Sequence, residues 1–245
     1  VTSIEPLNAA VPGYNSEQQS IALREVRLAL EADIVIVVAT INDAEPAYHL
    51  DEAGNLVWDE MPAVYRETLE QALPRKGLDG FLQRHLRLYT VLGSLLHRPY
   101  MISESFFDYT RELYAESSPG WQSMREALKS MQAFCRESGI PFLLVFSPTP
   151  ARAEPEAFRD VRKRIRAFAD GEEMNYYDLH EALADVPVAR YTLSPLDRHP
   201  NSLGHRLIAE ALAPAIREAL GEAAKSPAIS AKPKSAATPA GVDRK

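Results

Sequence analysis

The sequence predicts an α/β domain on a mainly parallel sheet, and three observations predict it. Short apolar runs alternate with stretches of helical periodicity, the order expected of βα units. Two of the runs, residues 34–41 and 140–146, are continuous and rich in β-branched or large apolar side chains, as strands covered on both faces are. The 245 residues are 46% hydrophobic and 25% charged, enough apolar side chain for one sizeable core.

Taken in order, residues 4–11 read as a short strand ending at Pro12-Gly13. Asn15 and Ser16 then offer helix caps, and Gln18 and Gln19, each three residues on, complete either possible capping box. Ala22, Val26, Ala29 and Leu30 form one apolar stripe on the helix that follows, and residues 34–41 form the next strand. Residues 45–117 are an insertion-sized excursion: 49–57 reads as a small hairpin turning at Gly54-Asn55, with helices expected through 65–73 and 80–96. Helical spacing resumes over 121–137 through Met124, Leu128, Met131 and Phe134, and Gly139 suits the helix stop. After the strand at 140–146 come a basic amphipathic helix at 158–168, a short strand at 175–177 ending at Asp178, and a final helix at 203–220. Residues 1–223 therefore read as one domain. Residues 224–245 read as a disordered tail, with Pro227, Pro233 and Pro239 among Ala, Ser and Lys.

Composition narrows the function classes. A net charge of −7 without a concentrated basic surface argues against nucleic-acid binding. The tail is basic, with five Lys or Arg against Asp243, and reads as a solvated extension. Cys135, the one cysteine, forms neither an internal disulfide nor a metal cluster and reads as a small apolar helix residue. No apolar run approaches the ~20 residues of a membrane span. Residues 1–15 lack the basic start and apolar core of a signal peptide, and Val1 is not an initiator Met, so the start of the gene is expected upstream. Oligomeric state and cellular location leave no mark in the sequence.

Four segments at strand ends or in loops carry candidate chemistry. Val11-Pro12-Gly13-Tyr14-Asn15 is a turn before a helix, where Gly lets backbone approach a ligand and nearby N–H groups suit an anion; its plainer role is a tight turn. In Ala39-Thr40-Ile41-Asn42-Asp43 the Asn side chain can donate into a site or close an Asx turn. In Asp197-Arg198-His199-Pro200-Asn201, Asp197 can orient the His199 imidazole and stabilise its protonated form, as a general base requires; its plainer role is a structural His with Asn201 capping the next helix. His199 and His205 have no compact metal-ligand spacing, so neither a metal nor any other cofactor is expected. Ser147, after the strand at 140–146, is a conceivable nucleophile, but Pro148 follows it and a loop role fits better.

Together these segments resemble the SGNH/GDSL hydrolase family. Residues 7–18 resemble its second block, which implies that Gly13 helps form the oxyanion hole. Thr40-Ile41-Asn42-Asp43 resembles its third block, usually Gly-x-Asn-Asp, which puts the oxyanion-hole Asn at Asn42 and Thr40 in place of the usual Gly. Asp197 to Asn201, followed by Gly204-His205, resembles its fifth block and makes His199 the general base. That block is usually Asp-x-x-His; here Leu196 stands three before the His and Asp197 two before it, so Asp197 is taken as the partner, with Asp178 as the alternative.

The resemblance implies a three-layer α/β/α flavodoxin-like sandwich, the SGNH hydrolase fold, with sheet order 2-1-3-4-5. No Gly-Asp-Ser occurs in the 245 residues, so the first strand is expected to be missing and the nucleophilic Ser to lie upstream. The implied activity is hydrolysis of carboxylic O-acyl esters of small molecules or carbohydrates, by a Ser-His-Asp acyl-enzyme route, with the chain as it stands inactive. The alternatives are an O-acyltransferase of the same superfamily and a non-catalytic ligand-binding protein with the same fold. Tyr48, Trp58, Tyr65, Tyr89, Tyr109 and Tyr114 of the excursion could wall the site or simply pack its core.

Overall fold

The computed structural model describes residues 5–45, 49–50, 56–57, 81–82, 85, 104–147, 156–194 and 197–225. Its sheet is parallel and three-stranded, in the order β1 (Val35–Ala39), β4 (Phe142–Phe146), β5 (Asn175–Asp178). Val35 pairs with Phe142 and Ala39 with Phe146, while Leu143 pairs with Asn175 and Phe146 with Asp178. All five residues of β4 are buried, as a central strand covered on both faces requires.

Side-chain alternation in the strands divides the core into two layers. Val37, Ala39, Phe142, Leu144 and Phe146 face the larger one, which is filled from α2 (Glu104–Leu113), α3 (Pro119–Glu137) and α4 (Glu156–Gly171). The α3 stripe reads Trp121, Met124, Leu128, Met131 and Cys135, and Cys135 is wholly buried there as a small apolar residue. Phe134 packs partly buried against the same core. On the other face, Leu143 and Val145 meet Ile208, Leu212 and Ile216 of α7 (Ser202–Lys225). The described residues thus form the α/β/α arrangement that the family resemblance implies.

Local signals account for the element ends. Asn15 caps α1 (Ser16–Leu30) with the expected box: Gln18 N–H donates to Asn15 Oδ1 at 3.0 Å and Asn15 N–H to Gln18 Oε1 at 3.1 Å. Gly139, at φ +65°, follows α3 and lets Ile140 N–H reach Cys135 O at 2.8 Å. The expected small hairpin is an antiparallel pair, β2 (His49–Leu50) with β3 (Leu56–Val57).

Four expectations change. Residues 5–11 form no strand: all are exposed, and no described strand lies beside them to pair with their backbone. The expected double burial of residues 34–41 fails at Val38, which is 46% exposed, because β1 has a described strand on one side only. The final helix runs beyond 220 to Lys225 and so takes in the first two residues of the expected tail; residues 226–245 lie outside the described ones. Three helices were not anticipated: α2, α5 (Leu179–Leu183) and α6 (Val188–Tyr191). The helices expected at 65–73 and 80–96 fall outside the described residues, apart from Phe81, Leu82 and His85, which are helical.

Candidate active site

The Gly13 turn and the Asn42 turn are bound to each other. Val11 O accepts from Tyr14 N–H at 3.2 Å across Pro12-Gly13, and Gly13 has φ +84°. Pro followed by a residue of positive φ is the pairing of a type II turn, which Gly fills without strain. The next residues dock onto the end of β1: Ser16 N–H donates to Asp43 O at 3.1 Å and Asn15 Nδ2 to Glu45 O at 2.8 Å. Gly120, in the first turn of α3, packs against the Ala44 carbonyl so closely that a Cβ would collide with it.

These bonds also show which donors remain. The amides of Tyr14, Asn15, Ser16 and Gln18 are taken by Val11 O, Gln18 Oε1, Asp43 O and Asn15 Oδ1. The Gly13 N–H makes no hydrogen bond among the described residues. Neither does the amide nitrogen of Asn42, which is exposed and whose Oδ1 accepts from Thr40 Oγ1 at 2.6 Å.

Behind this turn Asp43 is buried, 5% exposed. Its Oδ2 accepts from Thr40 N–H at 3.1 Å, and its Oδ1 lies 3.1 Å from Thr40 Oγ1. Burial pushes its pKa up to about 6, against the lowering effect of the Thr40 and Gln19 hydrogen bonds. The buried Tyr114 hydroxyl donates to Thr40 O at 3.2 Å. Tyr114 is thus a core residue that props the turn, and Tyr109 also packs against the core. The other four aromatics considered for the wall lie outside the described residues.

Asp197 and His199 meet on the connection between α6 and α7. Asp197 Oδ1 lies 2.7 Å from His199 Nδ1 and also accepts the His199 backbone N–H at 3.1 Å. The carboxylate therefore folds back in an Asx-type turn and reaches ring and backbone of the same residue, which is how a spacing of two can serve. Its pKa is lowered, chiefly by the hydrogen bond to His199. An ionised carboxylate only accepts, so Nδ1 carries the proton, and in the neutral imidazole Nε2 keeps its lone pair. Both side chains are exposed, His199 at 85% and Asp197 at 51%.

The loop is held on both flanks. Asp197 N–H donates to Ser194 Oγ at 2.9 Å, and Leu193 N–H to His199 O at 3.0 Å. Asn201 is the clasp: its Nδ2 donates to Arg190 O at 3.0 Å and Thr192 O at 2.9 Å, and its Oδ1 accepts from Gly204 N–H at 3.0 Å. Gly204 lies against the Tyr191 carbonyl, where a Cβ has no room.

Asp178, the alternative partner, is committed elsewhere. It caps α5 through His180 N–H at 2.9 Å and pairs with Arg162 at 3.1 Å, its side chain 1% exposed. Ser147 donates its backbone N–H to Ala39 O at 2.8 Å, extending the β1–β4 pairing. Among the described residues, no hydrogen bond joins the Gly13–Asn42 pair to the Asp197–His199 pair, and no group of three or more His, Cys, Asp or Glu could hold a metal ion. The helix-capping role open to Asn201 is met by its bond from Gly204 N–H, whereas the role of Thr40 shows in the sequence only as a departure from the usual Gly.

The described residues thus give an α/β fold with a parallel sheet between helix layers, an exposed imidazole–carboxylate pair on a loop and an exposed side-chain amide just past a strand end. The chain matches the GDSL-like Lipase/Acylhydrolase family over residues 3–207 and belongs to that family. Its broad activity class is accordingly ester hydrolysis. Neither a curated protein nor a solved structure matches it. No described helix is long and apolar enough to cross a membrane.

Proposed function

We propose that this protein hydrolyses carboxylic O-acyl esters of small molecules or carbohydrates through an acyl-enzyme, with His199 as general base and Asp197 as its orienting partner. The observation that carries the reading is the 2.7 Å contact of His199 Nδ1 with Asp197 Oδ1, which leaves Nε2 free to take a proton. In the first step a serine Oγ attacks the acyl carbon and His199 Nε2 takes its proton. Collapse of the tetrahedral intermediate expels the alcohol, which receives that proton. Water then repeats the sequence on the acyl-enzyme and releases the acid. Gly13 N–H and Asn42 Nδ2–H are the oxyanion donors, each worth ~3 kcal/mol of transition-state stabilisation.

The nucleophile we assign to a Gly-Asp-Ser segment upstream of these 245 residues, on a strand that pairs along the open side of β1. Support comes from β1 itself, which has one described neighbour and an exposed Val38. The match to a family of lipases and acylhydrolases supports hydrolysis over transfer.

The test compares this chain with one extended by the upstream coding sequence, on a short-chain aryl ester. The extended protein is expected to turn over and to lose activity on His199→Ala, while the 245-residue chain stays at background. Turnover by the 245-residue chain that Ser147→Ala removes would shift the nucleophile to Ser147. Acyl transfer to an added sugar at the expense of free acid would favour the acyltransferase alternative. Binding of an acyl ester without turnover by the extended protein would favour a ligand-binding role.

A further inference from the structure

Thr40 stands where the family's usual pattern has Gly, one residue past β1, so the contact its side chain makes is a departure of this chain. Its Oγ1 lies 2.6 Å from Asn42 Oδ1 and 3.1 Å from Asp43 Oδ1. The shorter distance suits O–H···O and is tight for N–H···O, which sets the amide with its oxygen toward Thr40. An amide carries its acceptor and its donors on opposite corners. Holding Oδ1 therefore turns Nδ2 outward, away from the turn.

We propose that Thr40 is a positioning residue of the oxyanion hole: its hydroxyl fixes the Asn42 amide so that Nδ2–H, and not Oδ1, meets the developing negative charge. The inference rests on the donor role of Asn42 proposed above and explains how a side chain exposed to water keeps one orientation. Preorganised donors act because they need no reorganisation as charge develops. A freely rotating amide would present its oxygen to the oxyanion for part of the time and repel it.

The hydroxyl has one proton and two neighbouring acceptors, so the state of Asp43 matters. If the Thr40 proton goes to Asn42, ionised Asp43 keeps the Thr40 N–H and Gln19 as its hydrogen-bond donors, and neutral Asp43 can donate its own proton to Thr40 Oγ1. Burial makes that neutral form accessible, with a pKa of about 6. The chain then runs from Asp43 through Thr40 to Asn42. Ionised, Asp43 becomes a second acceptor competing for the same proton. The groups around Asp43 are Gln19 from α1, Thr40 in its own turn, Tyr114 beyond α2 and, as the nearby carboxylate, Glu45.

Side-chain amide NMR of Asn42 tests this without any need for activity. The Asn42 amide should be restrained in the parent and in Thr40→Ser, and mobile in Thr40→Val. Its chemical shift in the parent should titrate with a midpoint near 6, and that titration should vanish in Asp43→Asn. On a short-chain ester, Thr40→Val should lower kcat of the extended protein about tenfold or more with KM within about twofold, and Thr40→Ser should restore it. An amide equally restrained in a folded Thr40→Val protein overturns the proposal whatever the activity, as does unchanged kcat in an active one. Release of the amide by Thr40→Val with no ester turnover in any variant would retire the hydrolase reading while upholding the positioning contact.

Discussion

At the scale of single residues, two carboxylates behave oppositely for stated reasons. Asp197 stands in solvent and is held ionised by its bond to His199, so its worth lies in orientation. If the proposed mechanism holds, Asp197→Asn in the active protein should lower kcat by up to about 10⁴, by analogy with Ser-His-Asp enzymes, while the melting temperature changes little. A comparable fall in melting temperature with turnover preserved would make Asp197 a turn residue only. Asp43 is buried, and its folded pKa of about 6 lies above the model-peptide value of 3.8. The folded state therefore holds the proton more tightly than the unfolded state, and stability contributed by the neutral acid is present below about pH 4 and lost as pH rises through about 6. The difference is about 3 kcal/mol across that window. Asp43→Asn should flatten this part of the stability profile, seen as the difference between urea midpoints of parent and variant from pH 4 to pH 7.

Among elements, close backbone approach sets what can be changed. Gly204 seats the first turn of α7 against the Tyr191 carbonyl, so Gly204→Ala should cost about 1–3 kcal/mol although alanine is the better helix former. Chemical denaturation reads this directly, and a gain in stability would mean that the turn shifts freely. The same elements show where sequence reasoning works. α3, α4 and α7 were legible because each repeats the helical period over several turns, and β4 because its apolar run is unbroken. α2 was not, although Phe106, Thr110 and Leu113 share one face, because aromatics in a long excursion read equally well as a site wall. Residues 5–11 misled for the opposite reason: a strand-like run is a strand only if a partner lies beside it. The site residues were legible as types at characteristic spacings. The Asx turn at Asp197 and the grip of Thr40 on Asn42 were not, since both depend on where a side chain turns.

For the whole molecule, β4 is the axis: both core layers bear on it, and Leu144 is wholly buried. Leu144→Ala should therefore cost about 2–5 kcal/mol, measurable by urea unfolding. The other side of β1 is the counterpart: no described strand lies there, and the backbone groups of Ile36 and Val38 face away from β4. Such an edge is a template for another strand. The Asn201 clasp also sets how its corner opens. Its bonds to Arg190, Thr192 and Gly204 tie the loop bearing His199 to the neighbouring helices and not to the sheet, so this corner can open while the sheet stays closed. Heat should then abolish the proposed activity reversibly some degrees before the protein melts, the amides of Leu193, Asp197, His199 and Asn201 should exchange with solvent faster than those of β4, and Asn201→Ala should widen the gap between the two temperatures.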